Sequence, residues 1–257
     1  MVPMCYPADH NRTDEWIIGR NFIPNWAMWL AVELEDYVRR TGDRKMAEQL
    51  RPKLVALYRY FQSFKNADGL LENLKGWVFV EWSKANDFVE GVNYPSNMMY
   101  AEMLSAMARL YSDPDKAREA ESVRAKIREQ AFDGQFFRDH NRSADATETC
   151  QYYAFFTRTA TREAYPDLWR RLVADFGPKR NPEKSWPEIH PSNAFIGNYL
   201  RFELLHQAGL QNQIRDEALA YFTRMAERTG TLWEFSAPSA SCCHGFASYI
   251  AVLLAGE

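Results

Sequence analysis

Two kinds of helical pattern alternate along this chain, and that alternation limits the architecture more than any other feature of the sequence. One kind is apolar almost all round. It is seen in Trp26, Trp29, Leu30, Leu34 and Tyr37, and again in Met99, Met103, Ala106, Met107 and Leu110 with Tyr100, Leu104 and Tyr111 on the adjoining face. Such a helix has to be covered on most sides. The other kind carries one narrow stripe, as in Met46, Leu50, Leu54, Leu57 and Phe61, or Ala120, Val123 and Ile127, with Arg, Lys and Glu over the remainder. Its outer face belongs in water. Short polar breaks separate the two kinds: Thr41-Gly42-Asp43, Ser112-Asp113-Pro114, Thr159-Ala160-Thr161 and Ala208-Gly209. Glycine or proline at such a break stops a helix. The spacing predicts buried helices near 24–41, 93–111, 147–160, 193–208 and 243–255, and striped ones near 44–65, 114–130, 163–176 and 211–228.

Hairpins with one buried and one exposed member can stack as an open solenoid or close as a double ring. Solenoid repeats keep short connections of constant length, whereas the returns here are long and unequal: 66–92, 132–146, 177–192 and 229–242. An all-α toroid of hairpins is therefore expected, with the long loops as the place for binding or catalysis.

At 46% hydrophobic and 25% charged residues, the chain has the material for a sizeable core, which excludes disorder and low complexity. With 31 basic against 34 acidic side chains it has no surplus for a phosphate backbone, so nucleic acid is not an expected partner. The longest apolar stretch, Phe246 to Ala255, is about half a bilayer span, and the opening residues show no leader pattern; neither a membrane segment nor a signal peptide is expected. The four cysteines, at 5, 150, 242 and 243, have no zinc or thioredoxin spacing, and Cys242 and Cys243 read as small buried thiols near a helix start. Five scattered histidines form no ligand-spaced pair, and nucleotide, P-loop, zincin and serine-hydrolase motifs are missing. Neither metal nor cofactor is expected.

What remains is carboxylate chemistry among aromatic rings. The loops hold Trp77, Phe79, Glu81, Trp82 and Asp87; then Asp133, Phe136, Phe137, Asp139 and His140; then Trp186, Glu188 and His190; then Trp233, Glu234, Phe235 and His244. Aromatic faces beside carboxylates suit a sugar ring, whose C–H side stacks while its hydroxyls need partners. Glycosidic cleavage needs two carboxylates, one protonated and one ionised. Glu234, between Trp233 and Phe235, is the best candidate for one role; a capping or solvated glutamate is the alternative. Glu81 beside Trp82 is a second carboxylate, read either in a sugar pocket or paired with Lys84 at the surface. His244 could orient Glu234, bond a sugar hydroxyl or simply start a helix. Asp14 and Glu15 precede Trp16, but such a pair usually only complements a helix dipole.

These residues resemble a known family, the bacterial α-L-rhamnosidases and their six-hairpin glycosidase relatives. The matching stretches are Phe22-Ile23-Pro24-Asn25-Trp26-Ala27-Met28-Trp29 leading to Tyr37 and Thr41-Gly42-Asp43, then Phe79-Val80-Glu81-Trp82, then Thr231-Leu232-Trp233-Glu234 followed by His244. The resemblance implies an (α/α)6 barrel acting by inversion on rhamnosides, with Glu234 as general base. Glu81, Trp82 and His244 would line the sugar pocket, with Trp77, Trp186 and Trp233 completing its aromatic wall. Where this chain has Glu81, many relatives have aspartate. The family's general acid lies in an Arg-Asp-Glu-Arg-Leu-Gly-Trp-like segment that this sequence lacks, and Asp14 and Glu15 are not assigned its role. Nine helices against twelve describe an incomplete ring, a single catalytic domain over 1–257 truncated at both ends. Its uncovered flanks would favour self-association. Two other readings stay open: a sugar epimerase or isomerase on the same toroid using His140, His190 and His244, and a non-catalytic carbohydrate-binding remnant.

Overall fold

The computed structural model describes residues 22–193, 196–239 and 241–255. Asp14 and Glu15 lie outside the described residues. Among the described residues there are nine α-helices and only two strands, each strand of two residues, so the all-α class stands. The chain divides into two compact units whose segments interleave in sequence.

Of the described residues, the first unit takes in 22–79, 89–131 and 140–142. It holds α1 (Pro24–Thr41), α2 (Arg44–Gln62), α3 (Tyr94–Tyr111) and α4 (Pro114–Ala131). Proline in the first turn presets the backbone angle of α1. Gly42, at φ 74°, ends that helix and donates its N–H to the Val38 carbonyl. Asp43 then caps α2, accepting from the amides of Lys45 and Met46. Asn93 caps α3 through the Ser96 amide at 2.9 Å. α3 packs against α1 and α4, and α1 against α2. The all-round apolar pattern of α3 is matched by burial on nearly every side, from Tyr94 to Met107 and again at Leu110. α1 departs from its pattern: Trp26, Trp29 and Leu30 are half-buried. Tyr37 is exposed and spends its hydroxyl on Asp43 at 2.9 Å.

The second unit takes in Val80–Phe88, Phe132–Asp139 and the described residues from Ser143 onward. It holds α5 (Glu148–Phe156), α6 (Pro166–Ala174), α7 (Gly197–Gln207), α8 (Gln211–Thr229) and α9 (Tyr249–Ala255), with 3-10 turns at Lys84–Asp87 and Gly245–Ser248. β1 (Ala146–Thr147) and β2 (Ile189–His190) pair in parallel, Ala146 opposite Ile189 and Thr147 opposite His190. α5 packs on α6 and α7, α7 on α8, and α9 on both α7 and α8. Phe202, Leu205, Ile214, Phe222, Met225, Trp233, Ile250 and Leu253 form one apolar cluster. Through the α7–α8 contact runs an ion pair with no exposure at Arg201, whose guanidinium meets Glu217 at 2.6 and 2.7 Å. One expectation needs correcting here. α9 is apolar enough to be covered all round, but it buries only Ile250 and Leu253 and leaves Val252 and Leu254 exposed.

Candidate functional site

Glu81 is the most enclosed of the candidate residues, with no solvent exposure. The Thr149 hydroxyl donates to its Oε2 at 2.6 Å, and the amides of Asn193 and Gly197 donate to its Oε1 at 2.7 and 2.9 Å. Gly197 is the first residue of α7, and the residue before it, Ile196, offers no side-chain cap. A carboxylate 116 positions away does that work. The approach is so close that a Cβ at position 197 would overlap Glu81 Oε1 and the Ser192 Cβ, so glycine is required there. Ile196 itself has φ 65°, an unusual conformation for a β-branched residue. Burial pushes the Glu81 pKa up to about 7, against the downward pull of Ser83, Thr149 and the two amides. The reading that pairs Glu81 with Lys84 at the surface is therefore corrected: Lys84 instead bonds Asp87 at 2.8 Å, and Glu81 lies enclosed beneath the surface with no exposed area.

The next residue turns outward. Trp82 is half-buried, and its indole Nε1–H donates to Glu234 Oε1 at 2.9 Å. Glu234 is half-buried too, in a loop stitched to itself: its own amide donates to the Ser241 carbonyl at 2.9 Å, and the His244 amide donates to Leu232 at 3.0 Å. Trp233 points inward, 1% exposed, within the apolar cluster on which Leu232 also packs, its Nε1–H on the Thr229 hydroxyl at 2.7 Å. The structure thus places Trp233 in the core beneath the loop, which corrects its expected place in a pocket wall.

The remaining candidates are dispersed. Trp186, at φ 52°, donates its indole N–H to Asp175 at 2.9 Å and stands edge-on to Phe136. The Arg171 guanidinium lies 4.9 Å from its ring centroid, so Trp186 already has a cation on its face. Trp77 belongs to the first unit, where it packs edge-on to Phe79 at 5.3 Å. The His244 ring accepts from the Phe246 amide at 3.3 Å, the helix-start role weighed among its alternatives. His190 faces Asp145 at 3.6 Å and tilts against Phe88, while His140 is a buried residue of the first unit, bridged to Asn93. Cys243 is exposed and Cys242 half-buried, which corrects the expectation of two buried thiols. Among the described residues no group of His, Cys, Asp or Glu could hold a metal ion.

Two residues that sequence reasoning passed over organise this region. Arg180 is buried with Glu148, Nε to Oε1 at 2.6 Å, and reaches the carbonyls of Ser185, Trp186 and Ile189, giving the 177–192 loop its shape. Asn193 bonds backbone atoms on both the Trp82 and the Glu234 loops. An arginine or asparagine within a polar loop carries no periodic signal, so only the spacing of the elements around it could have hinted at either.

In chemical terms the outward-facing group is a carboxylate whose orientation is set by an indole N–H, and it can take a proton from a water molecule placed against it. No protein-family model matches the chain, and no curated protein sequence does so either. Solved structures do. A GH78-family rhamnosidase of Bacillus sp. GL1 matches over 90% of this chain with a TM-score of 0.75 at 20% identity. A rhamnosidase from Klebsiella oxytoca, solved with rhamnose bound, matches over 90% with a TM-score of 0.73 at 16% identity. The chain shares its fold with these segments, and it spans 26% of the first protein and 46% of the second.

Proposed function

We propose that this chain carries the base half of a glycoside hydrolase active site of α-L-rhamnosidase type, in part of a six-hairpin catalytic domain. The hydrogen bond from Trp82 to Glu234 carries the reading: two residues 152 positions apart, each in a stretch that resembles the family, meet at 2.9 Å within one unit. The shared fold with two rhamnosidases supports it.

In this reading Glu234 accepts a proton from water as the oxygen attacks the anomeric carbon of a terminal rhamnosyl residue. The configuration inverts, and a carboxylic acid on the other side of the bond protonates the departing oxygen. The Trp82 indole occupies one lone pair of Glu234 Oε1 and fixes the plane of the carboxylate, so the water meets a pre-set acceptor. The reading assigns the base alone, so the substrate for the test is one whose leaving group needs little protonation. Release of nitrophenolate from an aryl α-L-rhamnoside is expected to fall at least ~1,000-fold in Glu234→Gln. Persistence of wild-type release in that variant would remove Glu234 as the base. Loss in His190→Asn or His244→Asn with Glu234→Gln tolerated would favour sugar isomerisation. Binding of rhamnose in calorimetry without any turnover would favour a binding module.

A further inference from the structure

Asn193 lies at a junction of five backbone and side-chain partners in the second unit, and it is buried. Its Nδ2 donates to the Trp82 carbonyl at 2.7 Å. Its Oδ1 accepts from the Ser236 amide at 3.0 Å and from the Tyr221 hydroxyl at 3.2 Å. Its own amide donates to Glu81 at 2.7 Å, and its carbonyl accepts from the Asn198 amide in the first turn of α7 at 3.1 Å. One side chain therefore grips the residue that supplies the indole and a residue two positions after the carboxylate. At the same time its backbone is locked to Glu81 and to the start of α7. Carbonyl and amide are both main-chain atoms, so what Asn193 fixes is the spacing of the two loops themselves.

We propose that Asn193 is the positioning residue that sets the Trp82–Glu234 hydrogen bond. The role rests on the reading of Glu234 as general base, and Asn193 acts through the two loops without touching substrate. An indole N–H···O bond tolerates only a few tenths of an ångström before it weakens, and displacement of a catalytic group by about 1 Å can cost about 100-fold in rate. Alanine at 193 deletes the donor to Trp82 and the acceptor for Ser236 together. Aspartate keeps the shape and the acceptor but loses the donor. Both leave Glu81 its backbone amide.

The test combines turnover of an aryl α-L-rhamnoside with the indole Nε1–H cross-peak of Trp82 in the full chain. That cross-peak is identified by its loss in Trp82→Phe, and its bond to the carboxylate by its movement in Glu234→Ala, which removes the acceptor. In Asn193→Ala the cross-peak is expected to move toward the position it takes in Glu234→Ala. In the same variant kcat should fall ~10- to 100-fold with KM within about twofold, and adding Trp82→Phe should cost less than about threefold more. A cross-peak that stays in place in folded Asn193→Ala overturns the proposal, as does full multiplication of the two losses. If Asn193→Ala does not fold, Asn193→Asp is judged on the same readings. The two ideas fail separately: a wild-type chain without turnover sinks the hydrolase reading, while the cross-peak still decides the role of Asn193.

Discussion

Glu119 in the first unit and Glu81 in the second both tie several elements together through a largely enclosed carboxylate, yet they are matched by opposite kinds of donor. Glu119 receives the Lys65 ammonium at 2.8 Å, together with the hydroxyls of Tyr58 and Tyr100 and the amide of Gln62. Burial pushes its pKa up, but Lys65 and the three neutral donors outweigh that push and hold the carboxyl below its ordinary range. Glu102, in the same unit, is matched by Arg124 and Arg109. Glu81 has hydroxyl and backbone donors, and burial prevails. A cation makes a buried carboxylate a permanent anion, whereas neutral donors alone leave it near its titration point. Glu119 and Glu102 act as fixed struts, as do Glu148 and Glu217 of the second unit beside Arg180 and Arg201. Glu81, beneath the candidate site, instead changes charge near neutral pH.

The largest effect that would break this contrast is at Glu102. Its neutralisation in Glu102→Gln strands the buried Arg124, and a loss of about 3–5 kcal/mol is expected in urea unfolding at pH 7. A loss below 1 kcal/mol would mean that the pair is not a strut. Next comes the pH dependence at Glu81. Its pKa in the folded chain, about 7, lies above the ordinary 4.5, so the folded state holds the proton more tightly than the unfolded one. Stability therefore falls as pH rises through the interval from about 4.5 to 7, and the penalty is complete above it. At 1.36 kcal/mol per unit the wild type should lose about 3 kcal/mol to this group. Glu81→Gln keeps an oxygen for the two amides and turns its own NH2 toward the Thr149 hydroxyl, so that component should vanish. Buried Asp139, whose pKa burial also raises, contributes with the same sign; the Glu81 charge adds to that rise, so Glu81→Gln removes this part along with the Glu81 component. Parallel stability profiles from pH 5 to 8 would contradict the contrast. The smallest effect is at Trp186. Trp186→Phe gives up the bond to Asp175 and should cost about 1 kcal/mol, with KM for the aryl rhamnoside within about twofold. A tenfold rise in KM would restore Trp186 as a sugar platform.

The helices were readable in the sequence because burial on all sides and burial on one side leave different periodic traces. Met99, Met103 and Met107 and the stripe Leu50, Leu54, Leu57 and Phe61 are two such traces, and α3 and α2 fall where they predict. The pairing of Trp82 with Glu234 was suggested only by the resemblance of their stretches, since nothing periodic connects residues so far apart. The burial of Trp233 was not legible: the stretch around it carries no periodic pattern, and an aromatic ring beside a carboxylate reads as a wall as readily as a core residue. The enclosure of Glu81 and the junction at Asn193 were beyond reach. Each depends on backbone amides and carbonyls contributed by distant loops, and every residue type carries those same atoms.

The separation of Trp82 from Glu234 along the chain also has a kinetic side. Helical hairpins close locally, over a few tens of residues, whereas the indole at 82 can find its carboxylate only after a loop of 152 residues has been drawn together. Refolding should pass through a stage in which the helical content has returned while this contact is still open, so that the chain regains its outline before its chemistry.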